Sequence, residues 1–145
     1  MAIPARVSFV TLGVANLDRA TRFYQALGWP LSSGSVTGDV SFFRTAGGLL
    51  ALWGANDLAA DLGLAPTADA GFRATAVAMN LDSPEQVDEA LSSAAAAGGK
   101  VLVAGRKTVW GGYQGYFADP DGHIWEVVHN PDFPIGPDGR PTLPG

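Results

Sequence analysis

Hydrophobic positions along this chain fall into alternating and helical stretches that divide it twice in the same order. From Val7 to Val14 the residues alternate, placing Val7, Phe9 and Thr11 on one face of a strand and Val10, Leu12 and Val14 on the other. Asn16 is a candidate N-cap. Leu17, Ala20, Phe23, Tyr24 and Leu27 then recur at helical spacing until Gly28. Trp29 to Ser35 and Asp39 to Phe43 read as strands joined by a Gly/Ser/Thr turn. Leu49 to Trp53 reads as a further strand after Gly47-Gly48, and Asn56 to Leu64 as a short helix. Residues 65–71 have linker composition.

The order then starts again. Phe72 to Leu81 reads as a strand, and Ser83-Pro84-Glu85-Gln86 as a capping box with proline at the first helical position. Val87, Ala90, Leu91 and Ala94 mark the helix, which Gly98-Gly99 ends. Lys100 to Ala104, Gly112 to Phe117 and His123 to Val128 supply three strands. Between the last two lies Asp119-Pro120-Asp121-Gly122, a four-residue turn in which proline presets φ and Gly122 supplies a positive φ. The Pro- and Gly-dense tail, from Phe133, is expected to lack regular structure.

One residue stands out against this pattern. Ile124, Glu126 and Val128 share a strand face, and a carboxylate between aliphatic residues needs a cavity, a metal or a partner to offset its desolvation.

Composition narrows the function. Forty-seven per cent hydrophobic with 16% charged residues suits one ordered α+β domain over residues 1–145. A net charge of −5 without a basic block argues against nucleic acid, and no apolar run is long enough to span a membrane. With no cysteine there is neither a disulfide nor a thiolate site, which is consistent with the cytoplasm. Phosphate-loop and nucleophile-elbow motifs are absent. A small-molecule partner remains.

The stretch Phe117-Ala-Asp-Pro-Asp-Gly-His-Ile-Trp-Glu-Val127 resembles the closing hairpin of the vicinal-oxygen-chelate superfamily. That group contains glyoxalase I, extradiol dioxygenases and bleomycin-resistance binding proteins. Val7 to Tyr24 resembles its opening strand and helix. The resemblance implies two tandem βαβββ units, at about residues 5–57 and 72–129 with the tail from 130. They would form a curled mixed β-sheet cleft with helices outside, in a homodimer. It also implies four metal-ligand positions, which fall on Phe9, Leu52, Ala76 and Glu126. Only Glu126 is a ligand type, so no metal and no cofactor is expected.

In such a cleft, strand alternation places Phe9, Thr11, Leu52, Ala76 and Glu126, with Leu50, Ala74, Ala78 and Ile124 beside them. Trp53, Trp110 and Tyr113 would flank the mouth. The expected function is non-metal binding of a small aromatic ligand, cationic where it pairs with Glu126, as bleomycin-resistance proteins hold their drug. The alternative is an enzyme: a metal-dependent lyase or isomerase of the glyoxalase I type, or a metal-free one with Glu126 as general base.

Overall fold

The computed structural model describes residues 3–65 and 71–145. The expected linker falls mainly on residues 66–70, outside the described residues. In chain order the elements are β1 (Phe9–Val14), α1 (Leu17–Ala26), β2 (Val40–Arg44), β3 (Leu49–Gly54), α2 (Ala55–Leu62), β4 (Val77–Asn80), α3 (Pro84–Ala96), β5 (Lys100–Lys107), β6 (Tyr113–Ala118) and β7 (Ile124–His129). They build an α+β fold of two mixed sheets, ordered β1-β3-β2 and β4-β7-β6-β5. In each sheet one pair is parallel, β1 with β3 and β4 with β7, and every other pair is antiparallel. No helix among the described residues is long and apolar enough to cross a membrane.

Local chemistry explains the starts of α1 and α3. The Asn16 side chain accepts from Arg19 N at 2.9 Å and Ser83 from Gln86 N at 3.2 Å, each taking up an amide that the first helical turn leaves free. Gln86 reaches back to the amide of Asp82, one residue before the cap.

Two expected strands differ from the pattern. Residues 29–35 pair only through a lone bridge, Leu31 with Phe43. The Ser35 hydroxyl takes the Phe42 amide at 2.9 Å, and Pro30 has no amide to give. The first unit is therefore βαββ in strand count, and the second is the full βαβββ. The strand expected from Phe72 starts at Val77, which pairs with Trp125. Further back, the partner chain is the turn before β7, where the His123 amide and carbonyl are already bonded to Asp119. Ala74, at φ 56°, breaks the extended run. The tail has no strand but makes a tight hairpin, closed by a lone bridge between Ile135 and Pro141.

The helix-side faces of both sheets meet in one core. Val14, Phe43, Leu50 and Leu52 of the first sheet join Phe117, Trp125 and Val127 of the second, with Phe23 and Tyr24 of α1 and Val87 and Leu91 of α3. Tyr24 sits among four rings, those of Phe23, Trp29, Phe43 and Trp125. Its hydroxyl donates to Asp119 Oδ2 at 2.7 Å and accepts from Trp125 Nε1 at 3.1 Å. Asp119 Oδ1 accepts from the amides of Asp121 and His123, both at 2.9 Å. The turn motif is thus tied into the core by its first residue.

Burial and the neighbouring Asp119 carboxylate push the Tyr24 phenol far above its usual range. A raised folded-state pKa contributes stability that is fully present below the unfolded value, about 10, and is lost as pH rises beyond it. Tyr24→Phe is expected to destabilise the fold by about 2–4 kcal/mol at neutral pH, because a buried carboxylate and an indole N–H lose their partner. It should also flatten the alkaline fall in stability. Urea denaturation of both proteins at pH 7 and above pH 10 measures the two effects.

Candidate functional site

The faces turned away from α1 and α3 hold the candidate residues. On the second sheet, β7 contributes Ile124, Glu126 and Val128, and pairing sets their neighbours. Tyr116 on β6 lies opposite Glu126 and Gln114 opposite Val128. On the other flank, Ala78 and Asn80 of β4 lie beside Glu126 and Val128. Tyr116 donates its hydroxyl hydrogen to Glu126 Oε2 at 2.8 Å, and Gln114 Nε2 donates to the Tyr116 oxygen at 3.4 Å. Arg106 of β5 pairs with Gln114. A short polar chain therefore crosses β6 and β7 on this face.

The charge logic is local. The hydrogen bond to Glu126, together with desolvation and the carboxylate's charge, raises the Tyr116 pKa, while Arg106 pulls it the other way. Tyr116 stays protonated and fixes one oxygen of Glu126. Oε1 of Glu126 has no protein donor among the described residues, so one lone-pair edge remains for a ligand.

On the first sheet the corresponding face carries Phe9, Thr11 and Gly13 of β1, Leu49, Ala51 and Trp53 of β3, and Val40, Phe42 and Arg44 of β2. Phe9 is 48% exposed and meets Phe42 edge-on, with ring centroids 5.8 Å apart. Helix α2 folds back over one end. A Cβ on Gly13 would lie 3.2 Å from the Ala55 backbone.

The structure sorts the expected residues into two groups. Phe9, Thr11 and Trp53 lie on the outward face of the first sheet and Glu126 on that of the second. Ala76 lies just before β4, exposed. Leu52 leaves the set, and Leu50 with it: both are buried in the core, on the opposite face of β3. The error is one residue of register. Phe43 and Phe117 are equivalent core positions, facing Leu50 and Trp125 respectively, so the second turn is one residue longer. The equivalent of Glu126 is Ala51. Tyr113 also leaves, because it points to the helix side and donates to Asp88 Oδ1 of α3 at 2.8 Å. Ala74 lies outside β4. Trp110, 45% exposed, packs its ring where a Gly112 Cβ would be, and no described contact joins it to Glu126.

Tyr116, Gln114 and Arg106 were missed. The hairpin itself held the signal for the first two: a turn centred on Asp121 puts Tyr116 directly across from Glu126.

The donor set at the four positions that the resemblance marks does not fit a metal. The four positions hold Phe9, Ala51 in place of Leu52, Ala76 and Glu126, and alanine and phenylalanine have no donor atom. Among the described residues no group of three or more His, Cys, Asp or Glu side chains could hold an ion. Both histidines serve backbone. His123 accepts from Arg73 through Nδ1 at 2.9 Å, so its Nε2–H donates to Gly13 O at 2.7 Å, and His129 Nδ1 lies 3.1 Å from Leu81 O.

Residues 6–127 match the Glyoxalase/Bleomycin resistance protein/Dioxygenase superfamily, and the chain belongs to that family. Among solved structures it is similar to a glyoxalase-related enzyme from Fulvimarina pelagi, with 36% identity and a TM-score of 0.87, covering 98% of this chain and all of that one. It is also similar to a glyoxalase/bleomycin resistance protein/dioxygenase from Nocardioides, at 27% identity and TM-score 0.73, covering 89% and 85% of the two chains. A lactoylglutathione lyase from Agrobacterium tumefaciens, at 24% identity, TM-score 0.67 and 88% and 96% coverage, shares the fold. No match was found among curated proteins.

If the Glu126 carboxylate holds the Tyr116 proton, Glu126→Gln should move the Tyr116 titration back down towards about 10, the ordinary tyrosine value. Ultraviolet titration of the wild type, Glu126→Gln and Tyr116→Phe isolates that step. An unchanged curve in Glu126→Gln would show that the pair does not form.

Proposed function

We propose that this member of the family binds a small aromatic ligand on the outward sheet face around Glu126, without a metal. One observation carries the reading. Glu126 is held at one oxygen by Tyr116 and open at the other, and the remaining equivalents of the metal positions carry no donor. A ligand N–H or cation meeting Oε1 gains a charge-assisted hydrogen bond, on the order of 1.5–3 kcal/mol. Phe9 and Phe42 on the first sheet and the Tyr116 ring on the second offer aromatic surface for stacking.

The proposal includes a homodimer in the cytoplasm. Family members of this unit order commonly pair, and two-fold dimers are the commonest assembly. Sedimentation at micromolar concentration should give twice the chain mass, and a clean monomer would contradict the dimer.

A panel of matched cationic and neutral aromatics, titrated by calorimetry, tests the ligand. Cations should bind better by about tenfold, and Glu126→Gln should remove the preference. No preference, or one that survives Glu126→Gln, would mean that Glu126 faces something other than the ligand. Elemental analysis of the purified protein should find no stoichiometric transition metal. Near one metal per chain, lost in Glu126→Ala, would overturn the metal-free reading.

A further inference from the structure

A second feature adjoins the Glu126 face at β4, where Ala78 and Asn80 line it. A cavity of about 520 Å³ opens between the unpaired edges of β1 and β4, within the size range of sites for small organic molecules. Val10, Leu50, Val77 and Met79 line it, together with the rings of Trp29 and Trp125. The β2–β3 turn and residues 139–141 of the tail border it, and Arg140 Nε ties the two by donating to Ala46 O at 2.7 Å.

Its charge is one-sided. Arg44 and Arg140 both line the cavity and, among the described residues, no Asp or Glu does, in a chain whose net charge is −5. The Arg44 side chain makes no hydrogen bond or ion pair among the described residues. Arg140 has one distant acidic neighbour, Asp138 Oδ2, at 4.0 Å from Nε, and both of those side chains are more than half exposed. An apolar chamber with guanidinium groups and no carboxylate rejects a cation and suits an anion with an apolar body.

We propose that this cavity binds an organic acid, with its aromatic or aliphatic body against Trp29, Trp125 and Met79 and its acidic group on Arg44 and Arg140. The inference differs from the Glu126 reading in the charge it selects: Phe9 and Ala78 border both places, but Glu126 itself does not line the cavity, and the two sites would select ligands of opposite charge.

Two fluorescent probes with the same apolar body test it: 1-anilinonaphthalene-8-sulfonate and its neutral counterpart N-phenyl-1-naphthylamine. The sulfonate should bind saturably, at one per chain, with energy transfer from tryptophan. Arg44→Gln with Arg140→Gln should weaken the sulfonate by about tenfold or more, and leave the neutral probe within about twofold. Arg44→Gln alone disturbs no described protein contact, and should give a weakening in the same direction. Met79→Trp, which fills the chamber, should weaken both probes, whereas Glu126→Gln should leave the sulfonate unchanged. Non-saturable sulfonate binding, equal affinity in the arginine variants, or indifference to Met79→Trp would each overturn the proposal. Loss of sulfonate binding in Glu126→Gln would do so too, by placing the probe at the other site.

Discussion

The structure depends on how one turn is anchored. Asp119 is nearly fully buried, and its two oxygens bind the Tyr24 hydroxyl of α1 and two amides of its own turn. Asp121 reaches the first unit from the same turn. Its Oδ1 accepts from Ala15 N at 2.8 Å and pairs with Arg19 at 3.1 Å, at the N-terminal end of α1 where negative charge is favoured. His123 adds a bond to Gly13 O at the end of β1. Three polar side chains within five residues therefore fasten the last hairpin to the first strand and helix. Each bond is short-range and directional, which fixes orientation as well as proximity.

That anchoring divides the labour within the motif. Asp119, Asp121 and His123 look like chemistry in a sequence and act as joinery in the fold. Trp125 faces the core, stacked on Phe117 at 6.2 Å and 7° between planes, and its N–H is taken by Tyr24. Glu126, the next residue, turns to the opposite face because strand neighbours alternate. It is the one charged residue of β7 and contributes nothing to the anchoring. A carboxylate spared from structure and held by one phenol is well placed to meet a ligand.

The legible part of the sequence was whatever period and punctuation control. Alternation gave the correct faces for β1 and β7, and the caps Asn16 and Ser83 form as read. The α+β class and the family followed from the same residues. Illegible was whatever depends on counting across a turn. A one-residue difference between two turns moved Leu52 from the expected groove to the core, since a slip of one exchanges the faces of a strand. Tyr113 was misassigned because its partner Asp88 sits on a helix that is distant in sequence. The cavity between β1 and β4 was invisible for the same reason: its walls come from both units and from a tail that the sequence marks only as Pro- and Gly-rich.

Comparing Asp119→Ala with Glu126→Gln in urea denaturation tests this division of roles most directly. The account predicts that Asp119→Ala loses several kcal/mol, on the order of 3, because buried donors on Tyr24 and in the turn are left unpaired. Glu126→Gln should stay within about 0.5 kcal/mol of wild type, because the amide oxygen still accepts from Tyr116 and the face is partly open. A loss in Glu126→Gln as large as that in Asp119→Ala would make Glu126 a structural residue and contradict the account.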